Sequence, residues 1–211
     1  MVMGLAGVTV IYGAVMAYAQ QDLKRLIAYT SISHMGFVLL GCYAMTQQAW
    51  QGAVMQMLAH GVSAAALFAL VGAIQYRYHT RDLNELGGLW QVLPKLSAVG
   101  LFFVIASLGM PGLGNFVAEF LILVGSFATY PVFTIIASSG LILAAVYSLA
   151  IAQKTFFGPL KLDSAVDLDR REVLMMLSMA ILLIGMGLHP QPLIDLAQQT
   201  LNQFPIGVTS K

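Results

Sequence analysis

An all-α fold, a polytopic transmembrane helical bundle of about six spans with one span broken, is predicted by three observations. Of the 211 residues, 59% are hydrophobic and only 9% charged, where a soluble domain carries about 25% because its surface has to be wetted. The charges are also clustered: none precedes Asp22, and none occurs from Leu26 to Tyr76, Leu96 to Ala118, Phe120 to Gln153 or Val173 to Ile194. The third observation is a glycine–proline cluster, Gly109-Met110-Pro111-Gly112-Leu113-Gly114-Asn115, in the middle of one apolar stretch. Such a composition excludes an ordinary cytosolic enzyme, a disordered chain and a nucleic-acid binder. The net charge of +1 favours no class of charged partner, and Cys42, the sole cysteine, excludes an intrachain disulfide and a thiolate metal cage.

A helix needs about 20 apolar residues to cross a hydrocarbon core of about 30 Å. The first span falls at 3–20; it lacks a basic leader and is followed by further spans, so it is not a secretory signal. Residues 26–76 are too many for one crossing and too few for three. Their polar midpoint, Thr46-Gln47-Gln48 and Gln51, marks a turn between spans at 26–46 and 52–76. Residues 97–128 as one straight helix would measure about 48 Å. Proline removes a helix donor and clashes with the preceding turn, while glycine tolerates unusual backbone angles. Two half-helices joined by an unwound segment at 109–115 are therefore predicted, with a proline kink in a tilted helix as the alternative. Unwound backbone at membrane depth is tolerated only where protein or a wet cavity surrounds it, and it marks ion sites in transporters. Spans at 131–153 and 173–189 complete the set. Beyond them Leu193, Leu196, Leu201 and Phe204 recur at helical spacing beside Gln198, Gln199, Asn202 and Gln203, an amphipathic helix lying on the surface or on a neighbouring chain.

The connections at 21–25, 77–95 and 154–172 hold Lys24, Arg25, Arg77, Arg81, Lys95, Lys154, Lys161, Arg170 and Arg171, leaving only Lys211 elsewhere. The alternate connections, at 47–51 and 129–130, hold no basic residue. The positive-inside rule puts the basic connections on the cytoplasmic face and both termini on the outer side.

Glu119 is the only acid inside any span. Intramembrane acids are costly and functional by default. Asn115 is positioned to cap the second half-helix, which would set Glu119 in its first turn, where the helix dipole favours the carboxylate while burial opposes it. A structural ion pair with a neighbouring helix is the alternative role. His34 lies near the middle of its span with Thr30 and Ser31 one turn away. His60 belongs to a polar stripe, Gln56, His60 and Ser63, at i, i+4 and i+7. Both histidines and Glu119 fall within about 9 Å of the bilayer centre, which suggests a proton path in the membrane plane. Histidine suits it because its pKa lies near neutral; interhelical hydrogen bonding is the alternative. Metal binding finds no His-x-x-x-His pair to support it. His79 and His189 lie at span ends and carry no claim. The acidic run Asp163, Asp167, Asp169 and Glu172, interleaved with Arg170 and Arg171, is read as a solvated loop. Phosphate-binding glycine loops, dinucleotide fingerprints and nucleophile elbows are absent from the sequence.

The run Asp22-Leu23-Lys24-Arg25-Leu26-Ile27-Ala28-Tyr29-Thr30-Ser31-Ile32-Ser33-His34-Met35-Gly36 resembles a signature of the antiporter-like membrane subunits of respiratory complex I. Met57-Leu58-Ala59-His60-Gly61 resembles a second signature, and Gly109 to Gly112 through Asn115-Phe116 and Glu119-Phe120 a third. The match runs from about residue 8 to about residue 192. It is strongest to the branch that carries glutamate rather than lysine in the third signature.

This resemblance implies a proton-translocating subunit of an NADH:quinone oxidoreductase, multi-pass in a bacterial inner membrane, with other membrane subunits as partners. NADH oxidation and quinone reduction would take place elsewhere in the complex, leaving this chain without cofactor, redox site, direct NADH binding or nucleic-acid partner. By the same resemblance residues 1–192 match the second five-helix repeat plus the last helix of a longer subunit, 193–211 form the tail, and the first repeat with its glutamate–lysine pair is missing. His34 and His60 match the central-axis histidines, and Glu119 the broken-helix glutamate near the proton exit. Lys24 and Arg25 match a basic pair at the cytoplasmic turn, in a relay or an anchoring role. A related subunit of a cation/proton antiporter or membrane-bound hydrogenase, and a non-conducting scaffold, are the alternatives.

Overall fold

The computed structural model describes residues 1–163 and 165–201. Several helices start at a capping residue or a proline that the sequence supplies. α1 spans Val2–Tyr18 and α2 Leu23–Tyr43, the latter capped by Asp22, whose side chain accepts from the Arg25 N–H. α3, Gln47–Tyr78, is capped in the same way by Thr46 and runs 32 residues, about 48 Å. α5 (Pro94–Ser107) and α7 (Pro131–Ile151) both begin on a proline, which has no N–H to leave unsatisfied at that position. α6 is Gly114–Phe127, and α7 ends in a π-helical turn over Ala152–Phe156. α8, Arg170–Leu188, opens with a reciprocal capping box between Asp169 and Glu172, and α9 is Gln191–Leu201. Between α3 and α5 lies a four-residue helix, α4, Leu89–Val92, too short to have a periodic sequence signal.

The bundle is all-α. α2, α3, α7 with its π turn, and α8 are individually long and apolar enough to cross a membrane. α1 is a shorter apolar helix, and α5 and α6 are the two halves of the broken span, so the architecture matches the spans drawn from the sequence. α5 and α6 are separated by non-helical residues 108–113, slightly offset from the predicted 109–115.

Two further expectations are corrected, and the tail helix is located. The polar turn is shorter than drawn, because Thr46 caps α3 and takes Gln47, Gln48 and Gln51 into the helix. The acidic run is ordered rather than merely solvated. Asp167 accepts from the Lys95 and Leu96 N–H groups at 2.8 and 3.1 Å and so caps α5 from a distant loop. Glu172 meets the Arg77 guanidinium at 2.6 Å. The tail helix packs against α3 near Gln51, whose amide donates to Gln198 at 3.4 Å; Asn202, Gln203 and Phe204 lie outside the described residues.

The three basic connections are tied into one face. Asp22 pairs with Arg81 at 3.1 Å, Leu23 N–H donates to the Arg81 carbonyl, and Lys161 donates to the Asn84 carbonyl at 2.9 Å. At the other end Thr129 donates to the Ala44 carbonyl and Thr46 to the Gly125 carbonyl, both at 3.1 Å. This grouping is the one the distribution of lysine and arginine predicts.

Small residues let the helices touch. A methyl group added at Gly36 would lie 2.8 Å from the Val10 nitrogen of α1, and one at Gly52 would lie 2.7 Å from the Ile122 nitrogen of α6. Such close backbone approach maximises van der Waals contact where lipid is as apolar as the partner helix. Gly36→Val should therefore lower stability by about 1–3 kcal/mol through overpacking, measured by unfolding in detergent. Gly72→Ala, where a methyl meets nothing within 4 Å, should leave stability equal or raised by up to about 1 kcal/mol.

Candidate functional site

The helices bring the predicted titratable groups into direct contact. His34 is the twelfth residue of α2 and is buried within the bundle. Its Nδ1 lies 2.9 Å from Oε1 of Glu119 on α6, with both side chains almost wholly buried. Gln56 of α3 donates from Nε2 to the same carboxylate oxygen at 3.1 Å. The His60 ring stacks obliquely on His34, with centroids 4.9 Å apart and planes at 38°. From α7 the hydroxyl of Tyr147 reaches Nε2 of His34 at 3.3 Å. Four helices thus converge on one polar cluster within an apolar bundle.

The arrangement fixes a tautomer. With Glu119 ionised and His34 neutral, Nδ1 carries the proton and donates to the carboxylate, leaving Nε2 to accept from the Tyr147 hydroxyl. Two donors then face the charged oxygen, one from histidine and one from glutamine. If Nε2 gains a proton first, the Nδ1 proton can move along the His34–Glu119 bond to give a neutral carboxylic acid and a neutral imidazole.

The break between α5 and α6 shapes the carboxylate's pocket. Gly109 has φ +82°, in the left-handed region, and a methyl there would stand 2.8 Å from Oε2 of Glu119. Only glycine satisfies both the backbone and the space. Gly112 is also left-handed, with φ +93°, and Gly187 of α8 packs directly on its carbonyl.

Asn115 plays a different part from the cap expected of it. α6 begins at Gly114, with Leu113 as a cap without a side-chain bond. Asn115 lies inside the helix and donates from Nδ2 to the Ala106 carbonyl at 2.9 Å and to Ser63 Oγ at 3.1 Å. Ala106 belongs to the last turn of α5, where carbonyls lose their helical donors. Asn115 therefore staples the two half-helices together and to α3. Glu119 in turn falls in the second turn of α6, not the first, where the dipole has largely faded. Its compensation comes from His34 and Gln56 side chains.

Of the sequence-predicted residues, His34, His60 and Glu119 come together. Lys24 does not: it is exposed in the first turn of α2, about 15 Å along the helix from His34. Thr30 and Ser31 bond the Ile27 carbonyl of their own helix instead of joining the cluster. Tyr147 was not singled out by sequence, being one tyrosine in an apolar run; Gln56 was noted only as part of a stripe. A polar cavity of about 540 Å³ opens at the basic face beside Arg25, His79 and Arg81, lined by none of the buried cluster. Among the described residues no group of three His, Cys, Asp or Glu side chains is placed to hold a metal ion.

Removing His34 should strand a buried charge. We predict that His34→Leu costs about 3–5 kcal/mol, read by denaturant unfolding in detergent, and that adding Glu119→Gln recovers most of that loss.

Comparison with known proteins gives a consistent outcome. Residues 1–145 match the family model described as NADH:quinone oxidoreductase/Mrp antiporter, transmembrane. The chain is 50% identical over 201 residues to NADH-quinone oxidoreductase subunit M of Pseudomonas aeruginosa, covering 95% of this chain and 40% of that protein. It is likewise 50% identical over 206 residues to subunit M of Escherichia coli K12, covering 96% and 40%. A chain of respiratory complex I from Thermus thermophilus superposes with a TM-score of 0.85 at 32% identity, covering 95% of this chain and 44% of that one. The chain spans about two fifths of the length of the curated relatives it matches.

Proposed function

Because the chain belongs to the NADH:quinone oxidoreductase/Mrp antiporter transmembrane family, we propose that it forms a proton-conducting part of subunit M of a bacterial NADH-quinone oxidoreductase. The observation that carries this reading is the buried His34–Glu119 contact, 2.9 Å long, at the edge of a broken helix. A titratable pair at membrane depth is expensive and has no packing advantage over apolar side chains.

The relay runs from His60 through His34 to Glu119. A proton arriving from His60 at Nε2 makes His34 an imidazolium, whose Nδ1 proton then passes to Glu119 Oε1, leaving a neutral imidazole and a neutral acid that is far easier to bury than a carboxylate. Oε2 lies toward Gly109, so the unwound segment provides the exit side, where the acid releases its proton and the carboxylate returns to its two donors. The proton left on Nε2 of His34 must return to Nδ1 before the next transfer, which resets the tautomer. NADH oxidation and quinone reduction occur elsewhere in the complex, and this chain supplies no redox group and binds no NADH. Its partners are the other membrane subunits and the bilayer of the inner membrane. The basic face is cytoplasmic and both termini are periplasmic, as the sorting of lysine and arginine supports. Lys24, at the cytoplasmic turn and away from the cluster, anchors α2 at the interface. A subunit of a multisubunit cation/proton antiporter is the second reading, because the family description embraces that class too.

Glu119→Gln tests the relay. The amide keeps the volume and removes the titrating group, so assembly on a native gel should survive. NADH-driven proton uptake or release by vesicles should collapse, with quinone-reductase turnover falling alongside it if coupling is tight. Full pumping by assembled Glu119→Gln would leave a non-conducting scaffold as the better account.

A further inference from the structure

Both ring nitrogens of His34 are engaged, and neither by His60. Nδ1 meets Glu119 at 2.9 Å and Nε2 meets the Tyr147 hydroxyl at 3.3 Å, while the two imidazoles meet only as tilted rings with centroids 4.9 Å apart. The cluster as it stands therefore connects His34 forward to Glu119 and leaves it unconnected backward. We propose that Tyr147 is a positioning residue of the relay, whose hydroxyl holds the His34 ring with Nδ1 toward Glu119 and must release Nε2 before a proton can enter from His60. This rests on the relay reading above.

The placement of Tyr147 supports the role. It is among the largest side chains buried completely, on a helix whose only other buried polar residues are Ser148 and Thr134. A buried phenol needs a partner for its hydroxyl, and His34 is the partner it has. A phenylalanine would fill the same space without that requirement. The groups facing His34 are Glu119 from α6, Gln56 and His60 from α3, and Tyr147 from α7. α1 meets α2 through the Val10 carbonyl, which accepts from Ser33, and through Val10 against Gly36, so it brings no further titratable group to the ring. Tyr147 is the only one of these whose contact is with the nitrogen that must be vacated.

The test uses the assembled complex in vesicles, comparing wild type, Tyr147→Phe and Glu119→Gln across a pH series. Tyr147→Phe should assemble and lower the rate of proton translocation by about fivefold, the effect of one lost hydrogen bond. The midpoint of its pH profile should move by about half a unit or more. Tyr147→3-fluorotyrosine, which keeps the shape and strengthens the donor, should move the midpoint the opposite way. That variant also decides the matter if Tyr147→Phe fails to assemble. A wild-type rate and profile in Tyr147→Phe, or a uniform loss with the profile unmoved in both variants, would reduce Tyr147 to packing and overturn the proposal while a dead Glu119→Gln keeps the relay. Undiminished pumping by Glu119→Gln would instead overturn the relay, and the positioning role with it.

Discussion

Burying the Glu119 carboxylate costs about several kcal/mol unless donors face it, and the helices are arranged so that His34 and Gln56 do. α2 brings the imidazole, α3 the amide, α7 the hydroxyl that orients the imidazole, and the break between α5 and α6 clears the space beside the second carboxylate oxygen. Each contribution depends on close helix approach, which is why glycines occupy the α1–α2 and α3–α6 contacts. A bundle of the same helices without these four groups would be simpler to fold.

The broken span shows how a defect in secondary structure is contained. Residues 108–113 leave carbonyls of α5 without helical donors, and the chain satisfies Ala106 twice, through the Gly109 N–H and the Asn115 side chain. Asn115 also reaches Ser63, so the helix carrying His60 is held against the break. Backbone strain is placed on the two glycines, at Gly109 and Gly112, that can adopt it without penalty. On the basic face the loops are locked by Asp167 beneath α5 and by the Arg77–Glu172 pair.

Much of this was legible in the sequence because the bilayer imposes lengths and the charges report them. Charge-free stretches located the spans, the sorting of lysine and arginine grouped the loops, and the Gly109–Asn115 cluster announced the break. Glu119, His34 and His60 stood out since a titratable group in an apolar run has few reasons to be there. What the sequence withheld was tertiary. Asp167 caps a helix that begins 73 residues earlier, and no local pattern carries that. Asn115 had the chemistry of a cap, but it lies inside α6 and its amide donates across the break to the Ala106 carbonyl. Tyr147 was invisible because a tyrosine in a membrane helix is commonplace until its hydroxyl is seen against a histidine nitrogen.

The central claim is that the His34–Glu119 pair changes protonation as the complex turns over. Infrared difference spectroscopy of the working complex reads this directly, through the carbonyl stretch that a carboxylic acid has and a carboxylate lacks. The account predicts a transient carboxyl band during turnover that disappears in Glu119→Gln and shifts in His34→Gln. A difference spectrum with no carboxyl band sensitive to Glu119 would contradict it.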